Sequence, residues 1–367
     1  MPQLTTQPIY DPARTFDDNF DHGPFGAFAE PQLYENSGEP RYTFLGFPVW
    51  LPFGIGAGPL PNAKYVAAAL ALGFDVNCYK TQRTVSFPVN DFPNILYIDI
   101  DGDLTAKRAA KSVVGSATPP QDLNTLTITN SFAMPSRGPG YWTGDLDHAI
   151  LAEQDGQFVI MSVVGTIQPG FSAEDYYNDF AAAAKLAAGT GVKAIEVNLS
   201  CPNVASEGVL CYTPSAVDAI TRKVKETIDD VPLVVKLGYF SADQQDLLEE
   251  VVEKLAPYTA AISAINTLAA PVVNDKGQQA LPGKGRLSSG ICGAAIQWAG
   301  LDMTHRLADL RKRRGYDYEI IGIGGVMNPD DFDAYRKAGA DLVQSCTGAM
   351  WNPQLAQQIK RESKQSK

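Results

Sequence analysis

No run of apolar residues in this 367-residue chain approaches the roughly 20 needed to cross a bilayer. The first thirty residues are acidic rather than charged-then-apolar, so no secretion signal is read and a cytoplasmic location is expected. Cysteine is scarce. Cys78, Cys201, Cys211, Cys292 and Cys346 stand no closer than ten residues apart, which removes CxxC zinc sites, iron–sulfur runs and a disulfide framework. Histidine is scarcer still: His22, His148 and His305 show no HExxH or similar spacing, and no protein-held metal is expected. Positive charge is in deficit, with 30 Lys+Arg against 41 Asp+Glu and a net charge of −11. That balance disfavours a nucleic-acid partner, whose affinity comes mostly from cationic neutralisation of phosphates.

What is present suits one large α/β domain. An apolar fraction of 45% allows a sizeable core, and the length fits an α/β barrel with insertions. Short apolar runs at residues 49–55, 76–80, 126–130, 158–164, 194–199, 233–237, 260–265, 320–323 and 342–346 alternate with amphipathic segments at 63–72, 173–188, 215–229, 243–255, 329–338 and 353–362. Alternation of this kind predicts βαβ units and a (β/α)8 TIM barrel. Gly73, Gly189 and Gly339 are expected as left-handed helix caps before the next strand. Residues 1–41 lack periodicity and read as an extended N-terminal arm, leaving 42–367 as the barrel domain. Two insertions break the rhythm: 82–124, with an expected hairpin at 95–100 followed by Asp101-Gly102, and 268–290, read as a loop. Insertions after barrel strands fall on the catalytic face.

The chemistry concentrates at strand ends. Glu196-Val197-Asn198-Leu199-Ser200-Cys201-Pro202-Asn203 closes a β-branched run with two amides and a thiol. A lone cysteine in a turn is more often a packing residue, but among polar amides at a barrel's catalytic face a thiol can serve as a base. Lys80 and Lys236 each close an apolar strand, where a charged side chain is seldom structural. Gly322-Ile323-Gly324-Gly325 and Cys346-Thr347-Gly348 follow the last two strands, where barrels bind phosphate, and Gly56-Ala57-Gly58 follows the first.

Taken together, Asn198-Leu199-Ser200-Cys201-Pro202-Asn203, Asn130-Ser131-Phe132-Ala133-Met134-Pro135, Val235-Lys236-Leu237, Ile265-Asn266-Thr267 and Ile323-Gly324-Gly325 resemble the soluble, cysteine-base (class 1) FMN-dependent dihydroorotate dehydrogenases. The motifs keep the family's order from about Tyr42 to the last helix. The resemblance implies oxidation of dihydroorotate to orotate in pyrimidine biosynthesis, with Cys201 as the general base. It places Lys80, Asn130, Met134, Asn198, Asn203, Asn266 and Thr267 on the substrate. It places Ala57, Gly58, Lys80, Thr81, Asn130, Asn198, Lys236, Ile265, Gly293, Gly324, Gly325, Cys346 and Thr347 on FMN. A small soluble electron acceptor and a homodimer are further implications. An imide edge alternates donors and acceptors, and an Asn amide offers both, so the asparagines make independent chemical sense.

The sequence also departs from the family's commonest pattern. Ser136 stands where an Asn is usual, and Gln344-Ser345-Cys346-Thr347-Gly348, with Thr267, is closer to the dihydropyrimidine dehydrogenases. An enzyme of that kind acting on another pyrimidine is therefore the alternative reading. A tRNA dihydrouridine synthase would need a basic surface that the charge of −11 opposes. A non-redox lyase using Lys236 or Lys80 as a Schiff-base amine is the reading from another class.

Overall fold

The computed structural model describes residues 7–200 and 210–365. Eight parallel strands form the central sheet: β1 (Phe53–Ile55), β2 (Val76–Gln82), β3 (Phe158–Val163), β4 (Ala194–Asn198), β5 (Leu233–Leu237), β6 (Ala261–Ala264), β7 (Glu319–Ile323) and β8 (Leu342–Ser345). Neighbouring strands pair in parallel from β2 round to β8 and on to β1, with one register shift between β2 and β3 at Met161–Val163. The seam between β1 and β2 is joined by Asp75 N donating to Phe53 O at 3.0 Å and Ile55 N donating to Asn77 Oδ1 at 3.0 Å. The fold is a (β/α)8 barrel. Most of these strands are buried on both faces, which is why they read as continuous apolar runs rather than alternating ones.

The helices follow one per strand: α1 (Ala63–Ala71), α2 (Pro139–Leu151), α3 (Ala173–Ala188), α4 (Pro214–Ile228), α5 (Gln245–Leu255), α6 (Gln297–Arg314), α7 (Pro329–Ala338) and α8 (Leu355–Gln365). Capping boxes start α3 at Ser172 and α7 at Asn328, each satisfying two backbone donors of the first turn. Gly73 and Gly339 adopt positive φ as expected, but Gly189 does not: its φ is −63°, and Gly191 takes the left-handed position at +78°. Inside the barrel, Val76, Cys78, Phe158, Ile160, Ala194, Val234, Ala261, Ile321 and Leu342 form an apolar layer. The hairpin Tyr42–Phe44/Phe47–Val49 plugs it from below, with Phe44 stacked on Phe158 at 6.2 Å.

Both insertions differ from their sequence reading. The run at 126–130 is not a barrel strand. It forms Thr127–Asn130 in a separate five-stranded sheet with Tyr97–Asp99, Val113–Ser116, Leu268–Val273 and Ser288–Gly293. Tyr97–Asp99 pairs with Val113–Ser116 across a connection that holds a short helix, Ala106–Ala109, so the tight Asp-Gly hairpin does not form. Residues 268–290, read as a loop, hold an antiparallel pair of strands in which Leu268 faces Ile291. The N-terminal segment is more than an extended trace. It contains the helix Phe16–His22, and Ile9, Tyr10, Phe16, Phe20 and Phe28 are buried against the rest of the chain.

Candidate active site

Two adjoining cavities, of about 840 Å³ and about 470 Å³ of empty space, lie between the C-terminal ends of the barrel strands and the added sheet. They share Ala57, Gly58, Lys80, Asn130, Asn266 and Thr267. The larger one is also lined by Lys236, Gly293, Gly324, Gly325, Cys346 and Thr347. The smaller one adds Thr81, Met134 and Asn198. Side chains named from sequence motifs scattered over almost 300 residues thus meet on one face. Ile265 backs this wall instead of lining it: it is fully buried, and a Cβ at Gly324 would lie 3.2 Å from its Cγ1. Cys201 and Asn203 lie outside the described residues.

The smaller cavity is built around amides. Asn198, at the end of β4, donates to Met134 Sδ at 3.6 Å and accepts from Ser200 N at 3.1 Å. Asn266 Nδ2 donates to Ser200 Oγ at 3.0 Å. These bonds fix the amide planes before any ligand arrives, the preorganisation that recognition of a planar imide needs. Arg83 is a residue that motif reading missed. It is buried, donates to Met134 O at 3.1 Å and Gly165 O at 3.0 Å, and its guanidinium lies 4.0 Å from the centre of the Phe87 ring. That anchors the 131–135 loop, in which Ala133 and Met134 both take positive φ. Ser136 donates to Gln82 Oε1 at 2.9 Å and accepts from Gly138 N at 3.1 Å, so its hydroxyl ties that loop to β2.

The larger cavity offers backbone at one rim and a cation in its wall. Gly325 has φ +68°, and a Cβ there would meet Gln297 N at 2.7 Å; at Gly348 it would meet Val326 O at 2.2 Å. Only bare backbone fits these positions, as close approach to a phosphate requires. Lys236 is 3% exposed. Burial pulls its ammonium pKa down, but the nearby Glu196 carboxylate raises it, and the net shift is upward, so the cation persists. The residues present fit a flavin mononucleotide: a glycine rim for the phosphate, Thr347 beside it, and a buried cation for a ring system that gains negative charge on reduction. The aromatic roof was not foreseen. Tyr10 and Phe16 of the N-terminal segment line the same cavity, with the Tyr10 ring perpendicular to Phe132 at 5.6 Å.

Replacing Thr347 by Glu should abolish cofactor retention, because a second negative charge at the rim opposes a phosphate in a site with little water to screen it. The expected loss is at least about a hundredfold in FMN affinity, some 2.7 kcal/mol, checked by flavin fluorescence on titrating the apoprotein. Thr347 is preferable to Gly325 for this test, since any side chain at Gly325 strains the backbone as well.

A barrel with a nucleotide-ready rim and an amide-lined annex is the architecture of a flavin oxidoreductase. Comparison with known proteins specifies which kind. The family profile described as dihydroorotate dehydrogenase matches residues 109–366. The chain is 34% identical over 359 residues to a dihydroorotate dehydrogenase of Dictyostelium discoideum, covering 95% of this chain and 96% of that one. It is 34% identical over 184 residues to the catalytic subunit of dihydroorotate dehydrogenase B (NAD(+)) of Citrifermentans bemidjiense, covering 50% of this chain and 57% of that one. It is 31% identical over 185 residues to dihydroorotate dehydrogenase A (fumarate) of Lactiplantibacillus plantarum, covering 50% and 56%. The chain belongs to the dihydroorotate dehydrogenase family, whose enzymes are FMN-dependent flavoproteins.

Proposed function

We propose that this chain oxidises dihydroorotate to orotate with FMN bound in the larger cavity and the pyrimidine in the smaller one. The observation that carries this reading is the amide set Asn130, Asn198 and Asn266 beside Lys80 and Thr267 in one cavity. Amides pair with the imide edge and the lysine with the carboxylate, which distinguishes dihydroorotate from uncharged dihydropyrimidines. FMN, when bound, supplies the hydride acceptor for this chemistry. The chain's own part is to hold the ring, exclude water beneath Phe132 and Tyr10, and take the proton from the ring carbon next to the one that loses hydride.

Cys201 is proposed as the group that takes that proton onto its sulfur. The described thiols are poorly suited to it. Burial pushes Cys211 and Cys292 up to about 12 and raises Cys78 and Cys346 as well, so these four stay protonated near neutral pH. Substituting Asn130 or Asn266 by Ala should weaken orotate binding by about 1–3 kcal/mol each, tenfold or more, because a buried polar group on the ligand loses its partner. Equilibrium titration of flavin absorbance with orotate checks this, and unchanged affinity in both variants would assign the cavity to another molecule.

Several finer points belong to the same proposal. The barrel domain is taken as 42–367, with residues 1–41 as an arm whose Tyr10 and Phe16 close the cofactor side. The electron acceptor is proposed as a small soluble molecule, and the working unit as a homodimer on family resemblance. No helix among the described residues is long and apolar enough to cross a membrane. A cytoplasmic location is proposed, in keeping with the free thiols Cys78, Cys211, Cys292 and Cys346.

A further inference from the structure

Between the apolar layer of the barrel and the cavity floor sits a buried carboxylate, named above only for its effect on Lys236. Glu196, on β4, is 0% exposed. Ser162 stands opposite it on β3, and Asn198, two residues on, stands opposite Lys236 on β5. Ser162 Oγ donates to Glu196 Oε1 at 2.9 Å, and Thr81 Oγ1 lies 2.9 Å from Ser162 Oγ. The other carboxylate oxygen, Oε2, is buried without a hydrogen bond among the described residues.

We infer that Glu196 is the buried counter-ion of Lys236 and, through Ser162, the positioning residue that orients the Thr81 hydroxyl at the cavity floor. This rests on the proposed function only in taking the cavity as the cofactor and substrate site. The orientation follows from donor counting. A carboxylate only accepts, so the single Ser162 proton is committed to Glu196. Ser162 must then accept from Thr81, and Thr81 faces the cavity with lone pairs alone. It can receive an N–H from a bound ring and cannot donate to a carbonyl.

The counter-ion role follows from charge. Among the described residues, the titratable groups around Lys236 are Glu196 on β4, Cys78 and Lys80 on β2, and Cys346 after β8. Burial raises both thiols and Lys80 carries the same sign of charge as Lys236, which leaves the Glu196 carboxylate as its partner. Residues two apart on a strand share a face, so Glu196 lies diagonal to Lys236 across the β4–β5 pairing, and in a low-dielectric interior charges so placed still couple strongly. Removing either member leaves a lone buried ion, which responds by changing its protonation.

The test uses the holoprotein with lysines labelled at the ε-carbon and ζ-nitrogen, the Lys236 signal being assigned by its loss in K236M. In the unsubstituted protein that signal should stay flat through the neutral range, up to about pH 10. In E196Q its midpoint should fall by at least about one pH unit, a tenfold change in acidity, and in E196D it should return most of the way. A purely packing role would leave the midpoint where it was, and an unchanged midpoint in folded E196Q overturns the inference. Should E196Q not fold, E196M, which removes the carboxylate with a side chain of similar volume, is read the same way: the Lys236 midpoint should again fall by at least about one pH unit, and an unchanged midpoint overturns the inference. Lysine titration does not need a pyrimidine, so failure of dihydroorotate to reduce the protein would count against the proposed substrate and leave this result standing.

Discussion

Replacing Cys201 by Ala is expected to slow flavin reduction by dihydroorotate at least about a hundredfold, the low end of what a general base contributes, while FMN stays bound and orotate still binds. The glycine rim proposed for the cofactor phosphate follows β7 and β8, far along the sequence from Cys201. The thiolate is the competent form, so in the unsubstituted protein flavin reduction should accelerate as pH rises until the thiol is ionised. Cys201→Ser should retain a trace of activity at high pH, a hydroxyl being a far weaker acid. Cys211 is the nearby rival. It is fully buried, its N–H donates to Leu199 O at 3.1 Å, and burial pushes its thiol up to about 12. Cys211→Ala should therefore reduce at near-normal rate. Stopped-flow reduction of the two variants separates the assignments, and collapse in Cys211→Ala with normal reduction in Cys201→Ala would reverse them.

Replacing Lys360 by Met should destabilise the fold by about 3–5 kcal/mol near pH 8, the range for leaving a buried charge without its partner. Lys360 on α8 reaches Asp75 Oδ2 at 2.8 Å, with the two side chains 5% and 0% exposed. Asp75 also accepts from Leu51 N at 3.0 Å and Gln157 Nε2 at 3.0 Å, so this pair ties the last helix to the start of β2. Burial raises the Asp75 carboxyl and Lys360 lowers it, leaving it at about 6. A carboxyl whose folded pKa lies above its ordinary value near 4 favours the fold when protonated. Its contribution is complete below about 4 and is lost as pH rises through 6. Without Lys360 that folded pKa rises further. The loss in Lys360→Met should accordingly be small near pH 4 and largest above neutrality, which urea unfolding at both ends of the range would record. A pH-independent loss would mean that the side chain acts by packing alone.

The barrel was legible in the sequence because strands covered on both faces are apolar throughout, and the run at 158–164 became β3 with only a one-residue change at its end. Helix α2 was not, since Gly140 and Gly144 weaken its pattern and only Trp142, Leu146 and Ala149 are buried. Helix α6 was hidden by its polar Arg311-Lys312-Arg313-Arg314 end, although Ala299, Met303, Leu307 and Leu310 mark a buried stripe. In the 268–290 insertion, Pro271 and the small residues Ser288-Ser289-Gly290 argued for a loop; pairing with Thr127–Asn130 overrides that preference. The site was legible where its residues close barrel strands. Its roof was not, because Tyr10 and Phe16 sit in no motif and reach the cavity only through the packing of a distant segment. Arg83 could have been suspected, as a charged residue directly after an apolar strand.

The most direct measurement is anaerobic titration of the purified protein with dihydroorotate while its visible flavin band is followed. The account predicts a yellow protein with about one FMN per chain, bleached stoichiometrically by dihydroorotate and only slowly by dihydrouracil, which lacks the carboxylate that Lys80 would hold. A colourless protein, or one bleached faster by dihydrouracil than by dihydroorotate, would contradict it.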